Sequence, residues 1–248
     1  MSGGTWSQAE VGGHPCDLFE PARPNEQGYV VIYLHGVHVK RLAENAVFTG
    51  EFERHGLRVV APITKRSWWT DRICAEFDPK LTAERHVLDN VLPFLAERFD
   101  ARPPRIGLLG TSMGGQGALR FAYKYPQKFP VAAAISPAID YQQRFDEGDE
   151  TLPLMYRDAE AARQDTAILH IHPLNWPRHQ FFCCDPTDER WFDSSDRLHM
   201  KLASIGIPHE CDLTTIAGGH SYDYYNTMAP RAIGFIAAAL EKERMRLV

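Results

Sequence analysis

Short apolar runs and longer amphipathic stretches alternate along the chain. Residues 29–34, Tyr-Val-Val-Ile-Tyr-Leu, form a continuous, β-branched run, which predicts a strand covered on both faces. Similar runs at 57–61, 105–109, 131–135, 179–184 and 210–215 predict further strands. Helical patterns fall between them, at 41–54, 81–99, 113–125, 194–202 and 229–240. In the 81–99 stretch, Leu88, Leu92, Leu95 and Phe99 share one stripe, and Pro93 predicts a kink. Gly12-Gly13, between two short runs at 9–21, reads as the turn of an N-terminal hairpin. Strands alternating with helices imply a mostly parallel sheet with crossover helices, an α/β fold. The pattern blurs between 139 and 178, which is the expected place of a small cap-like insertion over the sheet. No repeat, low-complexity tract or linker interrupts residues 1–248, so a single domain is expected.

Composition narrows the function classes. The 248 residues are 44% hydrophobic and 24% charged, with a formal net charge of −5 and both signs interspersed. That balance excludes the basic surface a nucleic-acid or anionic-membrane partner requires. No apolar run is long enough to span a bilayer, and the N-terminus carries no signal-peptide pattern. Five cysteines without regular spacing fit reduced thiols rather than a disulfide framework, so a cytoplasmic location is expected.

The candidate chemistry centres on Gly110-Thr-Ser112-Met-Gly114, which directly follows the 105–109 strand and opens the 113–125 helix. This is the G-x-S-x-G pattern of a nucleophile elbow, in which glycines remove side chains that would collide at a sharp strand-to-helix turn. A serine hydroxyl needs a base to take its proton, and in such elbows an acid and then a histidine follow the serine along the chain. His220, in Gly218-Gly-His-Ser-Tyr222 before the last helix, is the best-placed base. His170 and His172 lie in the irregular region, His199 in a helix pattern, and His179 and His209 at strand starts. For the acid, Asp185-Pro-Thr-Asp188 offers two carboxylates after the 179–184 strand. Asp185 suits a turn cap, whereas Asp188, further into the loop, is preferred as the partner of the imidazole. Asp193 is expected to cap the next helix.

Leu34-His-Gly36, Gly110-Thr-Ser-Met-Gly-Gly115, Asp185-Pro-Thr-Asp188 and Gly218-Gly-His-Ser-Tyr222 together resemble the α/β-hydrolase superfamily, and within it the putative-esterase (esterase D-like) group. The resemblance implies an eight-stranded, mostly parallel sheet with helices on both faces and a Ser112–His220–Asp188 triad. It also implies an oxyanion hole from the Met113 and Val37 amides. The Met113 amide, at a helix start, is suited to that task on electrostatic grounds as well. Gln116 stands where S-formylglutathione hydrolases often carry a histidine, which argues against that particular thioester.

The expected activity is carboxylic-ester hydrolysis through an acyl-enzyme, with a small-molecule ester as the partner and no cofactor. Acyl transfer, thioester hydrolysis or ligand binding without catalysis remain alternatives on the same residues. Trp68 and Trp69 lie on a loop after a strand, where α/β sheets bind ligands, and are candidate pocket walls. His170, His172, His179, Cys183 and Cys184 show no closed zinc spacing, so no metal is expected.

Overall fold

A computed structural model of the chain describes residues 3–246. Among these, eight strands build one sheet in the order β1-β2-β4-β3-β5-β6-β7-β8. They are β1 (Thr5–Val11), β2 (His14–Glu20), β3 (Val30–Leu34), β4 (Arg58–Pro62), β5 (Ile106–Thr111), β6 (Val131–Ile135), β7 (His179–Cys183) and β8 (Glu210–Asp212). The β1-β2 hairpin turns at Gly12-Gly13 and joins antiparallel to β4. From β4 to β8 every pairing is parallel, as the β-branched, doubly buried runs require.

The helices are α1 (Ala46–Arg54), α2 (Ala83–His86), α3 (Leu92–Phe99), α4 (Met113–Lys124), α5 (Tyr141–Asp146), α6 (Leu152–Met155), α7 (Ala159–Arg163), α8 (Phe192–Ser204) and α9 (Tyr222–Arg246). Alternate residues of β3 feed two cores. Val31 and Tyr33 pack with Phe48 and Phe52 of α1 and Ile233 and Ile236 of α9. Val30, Ile32 and Leu34 pack with Val87, Val91 and Leu95 and with Phe121 of α4. Helices therefore cover both faces. This is the α/β-hydrolase fold.

Several expected details are corrected. The helical stretch ending at Phe99 is broken by a π-helical turn, Val87–Val91, just before Pro93, whose missing N–H cannot bond to the carbonyl of residue 89. Its deepest stripe is Ala83, Val87, Val91 and Leu95, while Leu88, Leu92 and Phe99 flank it partly buried. β8 stops at Asp212 because that side chain accepts the Thr214 and Thr215 amides and turns the backbone out of the ladder. The last helix begins at Tyr222 rather than near Ala229. Burial of Tyr224, Tyr225 and Met228 carries it through Pro230, which lies inside the helix. α8 starts at Phe192, so Asp193 lies in its first turn and is not the cap.

Residues 139–178 hold α5, α6, α7 and a short 3₁₀ turn, with no strand among the described residues. Buried Arg120 of α4 anchors this segment by reaching Asp165, while also pairing with buried Glu84. All five cysteines are free. Among the described residues no helix is long and apolar enough to cross a membrane.

Candidate active site

Ser112 sits between the end of β5 and the start of α4 with φ 55° and ψ −121°, a strained conformation for a residue with a side chain. The flanking glycines make it possible. A Cβ on Gly110 would stand 2.0 Å from the Gly114 carbonyl oxygen, and one on Gly114 would stand 1.8 Å from the Leu34 oxygen. No other residue fits at either position, and the elbow presses directly against the end of β3.

Ser112 Oγ lies 2.9 Å from His220 Nε2, and His220 Nδ1 lies 2.7 Å from Asp188 Oδ2. The tautomer that satisfies both contacts places the ring proton on Nδ1, donated to Asp188, and leaves Nε2 to accept from the serine hydroxyl. Asp188 is buried. Its Oδ1 accepts the Arg190 and Trp191 amides at 3.3 and 3.2 Å, which fixes the carboxylate plane. Asp185 is turned away from the imidazole. Its Oδ1 accepts the Thr187 amide and hydroxyl, each at 2.7 Å, as in an Asx turn. Its Oδ2 accepts the Ala217 and Gly219 amides at 2.7 and 2.9 Å. Burial pushes the Asp185 carboxyl up, but these amide bonds outweigh it and hold the group below its ordinary value.

The opposite wall comes from the loop after β3. His35 is buried, with Nδ1 2.9 Å from the Gly36 carbonyl and Nε2 accepting the Thr64 amide at 3.0 Å. Burial lowers its pKa to about 4 against the opposing effect of the Gly36 carbonyl, so the ring is neutral and pins the Gly36–Val37 backbone to the loop after β4. Gly36 permits close approach, because a Cβ there would lie 3.3 Å from Ser112 Cβ. Val37 and Ser112 both border one cleft of about 250 Å³, and Met113 begins α4 beneath it.

Trp68 borders the same cleft, with its Nε1 donating to Thr151 Oγ1 at 3.1 Å and its ring edge-on to Tyr141. Trp69 does not border it. It is buried against Gly117 and donates to the His35 carbonyl at 3.1 Å, so its place is in the core beneath the site. The tandem expectation therefore divides between the two residues. Sequence reading missed Tyr222 and Tyr225, which line the cleft from the first turn of α9, and Lys40, Arg144 and Arg190. The signal for the tyrosines was their three-residue spacing directly after His220, which puts both on one helix face.

The family model described as "Putative esterase" matches residues 17–234. The chain belongs to this esterase family. It is a carboxylic-ester hydrolase of the serine-hydrolase class. No curated protein sequence matches it. Among solved structures, this esterase is similar to an S-formylglutathione hydrolase from Agrobacterium tumefaciens, with 20% identity over 96% of both chains and a TM-score of 0.74. It is also similar to a ferulic acid esterase, with 13% identity over 95% of this chain and 98% of that one and a TM-score of 0.73. A third is fluorophosphonate-binding serine hydrolase F of Staphylococcus aureus, with 16% identity, 95% and 99% coverage and a TM-score of 0.70. At these identities the likeness is one of fold.

The histidines and cysteines weighed for a metal do not converge. His170 pairs with Asp165 and His179 with Glu243, while Cys183 is buried at the end of β7 and Cys184 directly after it.

Proposed function

We propose that this esterase cleaves small carboxylic esters through an acyl-enzyme formed on Ser112. The observation that carries the reading is the continuous relay from Ser112 Oγ through His220 to buried Asp188, placed on a strained elbow at the floor of a cleft. His220 Nε2 takes the hydroxyl proton as Oγ attacks the ester carbonyl carbon. The carbonyl oxygen becomes an oxyanion facing the Val37 and Met113 amides, and the positive end of α4 favours that charge. Collapse breaks the carbon–oxygen bond to the alcohol, which leaves with the proton from His220. Water then attacks the acyl-enzyme with His220 again as base. The carboxylic acid departs, and the proton returns to Ser112. Asp188 holds the imidazole tautomer and stabilises its cation without taking the proton.

The cleft of about 250 Å³ is smaller than the roughly 300–1,000 Å³ of drug-sized ligand sites, which favours short substrates. Its charged lining is Lys40, Arg144 and Arg190; Glu147 and Asp149 pair with the two arginines, which leaves Lys40 as the lining cation without an ion pair among the described residues. Esters carrying an anionic group are therefore preferred to cationic ones. Residues 139–178 serve as a cap within a single domain, supplying Arg144 to the cleft and Thr151 to Trp68.

The test is Ser112→Ala, with ester turnover and labelling by a fluorophosphonate probe read on the same preparation. Loss of both with an unchanged melting temperature supports the assignment. A variant that still turns over short aryl esters at the wild-type rate excludes Ser112 as the nucleophile.

A further inference from the structure

Away from the cleft, at the β8 edge of the sheet, three metal-ligating side chains converge. His199 on α8, His209 just before β8 and Cys211 within β8 each offer a donor atom, and these atoms lie within 4.8 Å of one another. All three side chains are partly exposed, so an ion can reach them from solvent. His199 Nδ1 stands 2.8 Å from His209 Nε2 and 3.4 Å from Cys211 Sγ.

One lone pair, that of His209, is already directed, with the His199 Nδ1 proton donated to it in the free protein. His209 Nδ1 lies 2.9 Å from the Ile207 carbonyl, so it carries the ring proton and leaves Nε2 bare toward the cluster. A ligating imidazole in a zinc site is held by its other nitrogen in the same manner. The His209 ring is fixed further by stacking on Phe182 of β7, 5.8 Å between centroids at 11°. Tetrahedral zinc with Zn–N near 2.05 Å and Zn–S near 2.3 Å sets N···S at about 3.5 Å and N···N at about 3.3 Å. The 3.4 Å sulfur–nitrogen separation matches. The imidazole pair, at 2.8 Å, has to open by about half an ångström. Asp212 and Asp196 act electrostatically on the Cys211 sulfur and favour a nearby cation, although Arg231 pairs with Asp212.

We propose that His199, His209 and Cys211 form a binding site for a borderline divalent cation of the zinc class, with water or a further ligand completing the tetrahedron. Two imidazole nitrogens and one thiolate are a donor set suited to that class rather than to magnesium or calcium. Binding releases the Cys211 thiol proton to solvent and moves the His199 ring proton to Nε2. The ion then clips α8 to the edge strand, so it favours the folded chain by mass action. The site is independent of the Ser112 machinery.

The experiment uses untagged, reduced full-length protein titrated with Co²⁺. The expected result is saturable binding of one ion per chain with a near-ultraviolet thiolate-to-cobalt charge-transfer band, bleached by Zn²⁺, and a raised melting temperature. Cys211→Ser should abolish the band, and His199→Ala should weaken cobalt binding by at least about tenfold, since even losing an outer partner of a ligand costs that much. Retained ester turnover in both variants reports that they are folded. Absence of the band in the wild type at saturating cobalt, or an unchanged band and affinity in either folded variant, overturns the proposal.

Discussion

The Asp185 carboxylate accepts the Gly219 backbone amide at 2.9 Å, tying the residue next to His220 to the loop that carries Asp188. Two carboxylates within four residues thus do different work on one imidazole. Asp188 bonds the ring, and Asp185 fixes the backbone that presents it.

This division predicts an ordering. Asp188→Asn should lower kcat by at least about 10², and a corresponding change in a serine protease costs about 10⁴. Asp185→Asn should act mainly on stability. Its amide nitrogen would face the Ala217 and Gly219 donors, and losing such bonds to a charged acceptor costs at least about 2 kcal/mol. Measuring kcat and denaturation midpoints for both variants decides the matter, and a catalytically dead but fully stable Asp185→Asn would reverse the assignment.

The tryptophan pair should separate in the same way. Trp68→Ala, at a buried residue that borders the cleft, should also lower stability but shift preference toward longer acyl or alcohol groups more than it changes the rate on an acetate ester. Trp69→Ala, in the core, should cost about 3–5 kcal/mol of stability and scale all substrates alike. A chain-length series with melting curves for each variant checks both. Equal specificity profiles would remove Trp68 from the pocket.

Lys40 lies over the Tyr222 ring, 4.2 Å from its centroid, at the cleft rim. Lys40→Gln should raise KM for an ester bearing a carboxylate several-fold and leave a neutral ester of equal size unchanged. Steady-state kinetics on such a matched pair provides the readout, and equal effects on both esters would dissociate Lys40 from charge recognition.

The Arg120 cluster predicts acid sensitivity. Burial raises the Glu84 carboxyl, but Arg120, Lys124 and the Tyr125 hydroxyl outweigh it and leave the pKa below its ordinary value. Asp165 is likewise held below its ordinary value by His170 and Arg120 against its own burial. Both values are depressed by folding. Their stabilisation is therefore complete above the ordinary carboxylate range near pH 4 and is lost as pH falls through the depressed values. Glu84→Gln should destabilise the protein by about 3 kcal/mol at neutral pH and flatten the fall of melting temperature below about pH 4. Parallel melting curves for wild type and variant across that range would show that the cluster carries no such linkage.

The sequence by itself determined the features that rest on local sterics and periodicity. The apolar runs of β3 and β6 were legible as strands, and Gly110 and Gly114 around Ser112 specify an elbow because any Cβ there meets backbone. His220 was legible from its glycine-hinged loop, with Gly218 and Gly219 both at positive φ. Whatever depends on contacts between distant segments was decided only by the tertiary structure. Trp68 and Trp69 are adjacent, chemically identical and both buried, yet with Trp69 packed against Gly117 only Trp68 borders the cleft. Helix α9 runs through Pro230 because burial of Tyr224, Tyr225 and Met228 outweighs one missing hydrogen bond, a balance no local pattern encodes. The meeting of His199 with His209 and Cys211 had no sequence signature either, since it arises where α8 folds back along β8 and long-range packing, not spacing, sets the distance between the donors.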